Sequence, residues 1–177
     1  MATIQRSLTG RIVVRVDDDE KTVLRSLVEQ LLDMVQPDEP RSTDPIEQLL
    51  GSITSEVERP TDPALIRLFP DAYLDDDGAS ADFRKFTQDS LRELKSANAI
   101  TMLATLERSG TKLTLSGAEA MAWLGCMNDM RLTIGVRIGV TEENHEDLLD
   151  DANPNSMMAQ VYTWLTYLQE SLITAIA

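Results

Sequence analysis

A short extended run, a helix cap and a long helical periodicity follow one another twice in this sequence, and that pattern dictates where the chain turns from strand to helix. Residues 11–16, Arg-Ile-Val-Val-Arg-Val, are short and β-branched, which suits a strand. Asp17-Asp18-Asp19-Glu20 comes next. Acids at this point accept from free N–H groups and oppose the positive end of a helix dipole, and Asp17 and Glu20 have capping-box spacing. Leu24, Leu27, Val28, Leu31, Met34 and Val35 then form one apolar stripe to about Gln36, where Pro37 and Pro40 end the helix. In the second occurrence Lys112-Leu113-Thr114-Leu115 reads as a strand and Ser116 and Glu119 as the capping box. A helix over about 117–138 follows, ended by Gly139 and Val140. The expected fold is mainly α, a helical bundle with a small two-stranded β element (α+β), in a single helical domain over 1–177.

Between these units, Asp44-Pro45 and Asp62-Pro63 each read as an N-cap followed by proline in the first turn, giving short helices over 45–52 and 63–68. Asp75-Asp76-Asp77-Gly78 reads as a turn. A long helical stretch over 79–108 places Phe83, Phe86, Leu94, Ala97, Thr101 and Ala104 near one face and allows a break in its middle. Ser109-Gly110 closes it. An acidic connector over 142–151 leads to a final helix over 155–175, with Val161, Leu165, Leu168 and Leu172 as its stripe.

Charge and residue counts narrow the function classes. The formal net charge is −14, and Arg137 is the last basic residue. Such a field repels phosphate backbones, so direct contact with nucleic acid is not expected outside a local basic patch near Arg11 and Arg15. The longest apolar runs are far short of a membrane span and no secretory leader opens the chain, so a cytoplasmic protein without membrane contact is expected. One cysteine and one histidine leave no internal disulfide and little to build a metal cluster from. No glycine-rich phosphate loop or nucleophile elbow occurs. No cofactor and no catalytic residue is expected.

The helix over 117–138 carries the candidate site. Trp123, Met127, Met130 and Ile134 form one apolar face, and Ala122, Gly125, Cys126 and Asp129 form a neighbouring small-residue face that another helix can approach closely. Asn128, Arg131 and Gly135 share a third line. Buried polar groups must be paired, and Tyr162, Trp164, Gln169 and Glu170 on the last helix are the expected partners of Asn128, Asp129 and Arg131. Two readings stay open: a ligand or partner pocket, and a structural polar network that fixes helix register, the second being favoured. Cys126 is either a redox sensor or an inert core thiol, and its neighbours Gly125 and Met127 bring no positive charge to favour the thiolate. His145 sits among carboxylates without metal-motif spacing, which is the pattern of a solvated loop. Asp75-x-Asp77-Gly78 resembles the middle of a calcium loop but has Tyr73 and Arg84 where the end ligands belong.

Three motifs carry a family resemblance. From Leu113 the chain reads Leu-Thr-Leu-Ser-x-x-Glu-Ala-x-Ala-Trp-Leu and then Met-Asn-Asp-Met-Arg-Leu-x-Ile-Gly. Asp62-Pro63-x-Leu65-x-x-Leu68-Phe69-Pro70-Asp71-Ala72-Tyr73 lies in the middle, and Val161-Tyr162-x-Trp164-Leu165-Thr166-x-Leu168-Gln169-Glu170-x-Leu172 closes the chain. Together they resemble an actinobacterial family known as domain of unknown function 2017. The resemblance implies proximity to a Clp-protease adaptor gene and to sulfur-metabolism genes. It also implies, for some members, regulation of transcription in oxidative stress with a sigma factor, oxidants being sensed through a disulfide. With Cys126 alone, such a disulfide has to be intermolecular or mixed. The resulting expectation is a non-enzymatic regulatory or adaptor protein that works by protein–protein contact. Its implied partner is a sigma factor or a Clp adaptor, and a homodimer is compatible with it. The rivals are a direct DNA-binding transcription factor, which needs a basic helix, and a small-molecule binder or enzyme with a pocket at Asn128, Asp129 and Arg131.

Overall fold

The computed structural model describes residues 2–36, 60–71 and 77–177, and within them the two expected strands pair. Strand β2 (Ile12–Arg15) runs antiparallel to β3 (Lys112–Leu115), with Ile12 opposite Leu115 and Arg15 opposite Lys112. A further strand, β1 (Thr3–Arg6), pairs antiparallel with the other side of β2, so the sheet has three strands in the order β1-β2-β3. The β1–β2 turn closes through Gly10 N–H donating to the Ser7 carbonyl at 2.9 Å, with Gly10 at φ 80, a conformation glycine adopts without Cβ strain.

Both capping boxes form. In the first, Glu20 N–H donates to Asp17 Oδ1 at 2.8 Å and Asp17 N–H to Glu20 Oε2 at 3.0 Å, opening α1 (Asp18–Val35). In the second, Glu119 N–H donates to Ser116 Oγ at 3.2 Å and Ser116 N–H to Glu119 Oε2 at 2.7 Å, opening α4 (Gly117–Ile138). Glu119 also pairs with Arg108, and this ion pair, followed by the Ser116 amide, holds its carboxyl below the usual range. Stability from such a group is present above its ordinary pKa of 4.5 and is lost as pH falls through the lowered value. Ser116→Ala is expected to cost about 1 kcal/mol in a denaturant titration, because one first-turn donor loses its acceptor.

Helix α2 (Pro63–Leu68) follows the Asp62 cap, whose Oδ1 accepts from Ala64 N–H at 2.8 Å. The expected helix over 45–52 lies outside the described residues. The long helix α3 (Asp77–Leu106) runs without a break. Asp77 and Gly78 open it rather than a turn, while Asp75 and Asp76 lie outside the described residues. The acidic connector contains a short helix, α5 (His145–Leu148), and α6 (Ser156–Ile176) ends the fold.

In the described part of α3 the buried face is not the one that Leu94, Ala97 and Ala104 suggest, while the side chains of Phe83 and Phe86 lie outside the described residues. Leu94, Ala97, Ile100 and Ala104 are exposed, whereas Ala99, Met102, Thr105 and Leu106 are buried. The inward line at spacings of three and four includes a cation, Lys95, and a small residue, Ala99, so it carries little hydrophobic contrast. Elsewhere the stripes are as expected. Leu24, Val28, Leu31 and Val35 of α1, Trp123, Met127, Met130 and Ile134 of α4, and Leu165, Leu168 and Leu172 of α6 meet Val14, Leu113 and Leu115 of the sheet in one cluster. Each large apolar side chain so buried stabilises the fold by about 1.5–3 kcal/mol. Helix α4 touches α1, α2, α3 and α6, so its polar residues lie where several elements converge.

Candidate functional site on the polar side of α4

Successive positions on a helix turn by about 100°, so the polar residues of α4 diverge. Asp129 faces α3, and Arg131 faces α6.

On the α3 side, small residues let the backbones come close. A β-carbon at Gly125 would lie 2.6 Å from Asn98 Nδ2. One turn further along α4, Lys95 Nζ donates to Asp129 Oδ1 at 2.7 Å, and the two side chains are 16% and 5% exposed. Burial pushes the Asp129 carboxyl above its ordinary value, and Lys95 opposes that rise without cancelling it. The same ammonium lies 5.9 Å from the centre of the Phe69 ring, with Arg92 over that ring at 4.8 Å. Cys126 is fully buried one turn before Met130, and burial, followed by the Asp129 charge, pushes its thiol up to about 12. A thiol so placed forms little thiolate at neutral pH, and thiolate and access are what oxidation requires.

On the α6 side, Arg131 Nε donates to Thr166 Oγ1 at 2.9 Å and Arg131 Nη1 donates to Gln169 Oε1. The guanidinium also stacks 5.3 Å from the Tyr162 ring centre. Gln169 is buried, Tyr162 and Trp164 are half-buried, and Glu170 is exposed. The structure therefore brings Arg131 together with Tyr162 and Gln169, and leaves Asp129 and Glu170 out of that group. Asn128 is half-buried and lines two surface depressions. One, of about 430 Å³, lies among α2, α4 and α6 and is lined by Arg67, Arg131, Thr141 and Tyr162 with several apolar residues. The other, of about 690 Å³, lies among α3, α4 and α6 and is lined by Leu94, Met121, Gly125, Gln169 and Ile173.

Lys95, Thr166 and Arg67 were absent from the sequence-based candidates. A signal existed for two of them. Lys95, Ala99, Met102 and Leu106 form one line at helical spacing, and Thr166 and Gln169 lie three residues apart on one face of α6. Among the described residues no group of three or more His, Cys, Asp or Glu side chains gathers as a metal site would. No described helix is long and apolar enough to cross a membrane.

Comparison with known proteins agrees with the sequence motifs. The chain matches the family described as "Domain of unknown function (DUF2017)" over residues 1–176. It is similar to the putative oxidative stress regulator AosR of Mycobacterium leprae, with 33% identity over 171 residues, 89% of this chain and 78% of that protein. The oxidative stress regulators AosR of Mycobacterium bovis and Mycobacterium tuberculosis are 31% identical over 168 residues, 87% of this chain and 77% of theirs. No solved structure matches the chain. The protein belongs to the DUF2017 family.

Proposed function

We propose that this protein is a non-enzymatic regulator that acts by contact with another protein, in the control of transcription under oxidative stress. One observation carries the reading: the likeness to oxidative stress regulators spans most of both chains. Geometry supports contact rather than chemistry, since Asp129, Arg131 and Gln169 are used to hold helices together.

The contact face is the larger depression. Leu94, Met121 and Ile173 are 57%, 56% and 49% exposed around it, and exposed apolar residues gathered at one place mark interaction surfaces. Glu170 is the only charged residue of α6, which suits a partner with a basic rim. A sigma factor or a Clp-protease adaptor is the partner class that the family resemblance suggests. The buried Cys126 thiol argues for an oxidant signal that reaches the protein through that partner.

The test is a pull-down from the native host with the parent chain and a Leu94→Glu, Ile173→Glu double variant. The parent is expected to retain a specific partner and the variant to lose it at least about tenfold, with helix content unchanged by circular dichroism, since charge is tolerated on an exposed face but not in a contact. Equal recovery by both chains would remove this face from the proposal.

A further inference from the structure

The smaller depression has a different character. It is lined by two arginines in a chain of net charge −14, Arg67 from α2 and Arg131 from α4. Among the described residues no carboxylate pairs with either. Arg131 spends two donors on neutral acceptors, Thr166 and Gln169, which orient the guanidinium and leave its charge uncompensated. Asn128 and Thr141 add further polar groups to the lining.

The end of α4 lies against the same space, and the carbonyls there would repel an anion if they were bare. They are occupied. The Gly135 carbonyl accepts from Val140 N–H at 2.9 Å, that of Val136 from Gly139 N–H at 3.3 Å, and that of Gly139 from Asn144 Nδ2 at 2.8 Å. The remaining wall is apolar, made by Leu132, Val136 and Val140.

We infer that this depression binds a small organic anion, with a carboxylate or phosphate head between Arg131 and Arg67 and an apolar body against Leu132, Val136 and Val140. Paired guanidiniums recognise both head groups by the same forked hydrogen bonding. A volume of about 430 Å³ holds a compact ligand of this kind. The site borders the proposed contact face at Asn128, which lines both, but neither Arg67 nor Arg131 lines that face, so the two proposals are tested by different variants.

The test is calorimetric titration of the full chain with acetate, benzoate, inorganic phosphate and phenyl phosphate at fixed ionic strength. Benzoate and phenyl phosphate are expected to bind one saturable site, each about tenfold tighter than acetate and inorganic phosphate, because the ring covers the apolar wall. Whichever of the two binds tighter identifies the head group. Arg67→Gln is the first variant, since Arg67 is exposed and its loss leaves the core untouched. It should weaken binding at least about tenfold, as should Arg131→Gln, whereas Arg25→Gln on the exposed side of α1 should change nothing. Absence of saturable binding by all four probes overturns the inference. So does a loss from Arg25→Gln equal to that from Arg67→Gln, which would show general attraction by charge. Equal affinities for benzoate and acetate would overturn the apolar wall.

Discussion

Replacing Trp123 by alanine is expected to remove about 3–5 kcal/mol of folding stability. The side chain is fully buried on α4, the helix that touches α1, α2, α3 and α6, so neighbours anchored on four elements cannot all collapse into the space it leaves. It also carries a polar link, since Trp123 Nε1 donates to Thr105 Oγ1 at 2.6 Å on α3. The Thr105 hydroxyl in turn donates to the Met102 carbonyl at 2.8 Å, so its hydrogen is already used and its lone pairs receive the indole. Trp123→Phe keeps most of the apolar contact and loses that link, and a smaller cost of about 1–2 kcal/mol is expected. Against a typical total of about 5–15 kcal/mol, the loss in the alanine variant is a large share of the whole and that in the phenylalanine variant a small one. Urea titration of the three chains, followed by helix content, measures both differences. A midpoint for Trp123→Ala equal to that of the parent would mean that the core closes over the gap.

Lys95→Met is expected to cost about 3 kcal/mol near neutral pH, because it strands a buried carboxylate while replacing the lysine stem almost isosterically. Burial already raises the Asp129 carboxyl above its ordinary 3.8 with Lys95 in place. Removing the ammonium raises it further. A carboxyl raised on folding contributes stability that is complete below its unfolded pKa and is lost as pH rises through the folded value. The difference between parent and variant should therefore be small in acid, where Asp129 is protonated in both, and should grow as pH rises towards neutrality. Carboxyls lowered on folding, such as Asp62 beside Arg137 and Glu119 beside Arg108, weaken the fold in acid in both chains alike and cancel in the comparison. Denaturation at a series of pH values gives the curve. A gap independent of pH would show that Lys95 acts through its stem and its place beside Phe69 rather than through its charge. Asp129→Asn, which removes the desolvated charge and leaves Lys95 able to reach solvent, should cost less than Lys95→Met at every pH above the folded value.

What was legible in the sequence follows from how local each signal is. The two capping boxes need only residues three positions apart, and both formed between the residues expected. Asp62-Pro63 was equally local and set the start of α2. The α1 and α6 stripes contrast with their opposite faces, and the inward line of α4 is marked by its bulky side chains, Trp123, Met127, Met130 and Ile134, so these inward residues were readable. The α3 face was not, because its apolar residues are spread around the helix and its inward line contains Lys95. Strand β1 was missed for a related reason. Of its four residues only Ile4 is buried, so no alternation marks it, and what holds it is the register with β2.

Sequence proximity grouped Asn128, Asp129 and Arg131 as candidates, but gave neither their partition nor their partners Lys95 and Thr166. Asn128, Asp129 and Arg131 are close in sequence, and closeness suggested one network with α6. Helical geometry sends Asp129 to α3 and Arg131 to α6, and the choice of partner for each depends on the packing of helices distant in sequence. Lys95 and Arg67 stand 34 and 64 residues before the residues they serve or accompany, which no local pattern links.

The contact between β1 and α6 has a consequence for how the chain acquires its structure. Thr3–Arg6 is synthesised long before Ser156–Ile176, yet each packs on the other. During vectorial synthesis the β1–β2 hairpin emerges with Ala2, Ile4 and Val14 uncovered, and β3 and α6 arrive only after most of the intervening residues. The apolar side of that hairpin thus stays uncovered until β3 and α6 have been made, a window in which a chaperone can hold it.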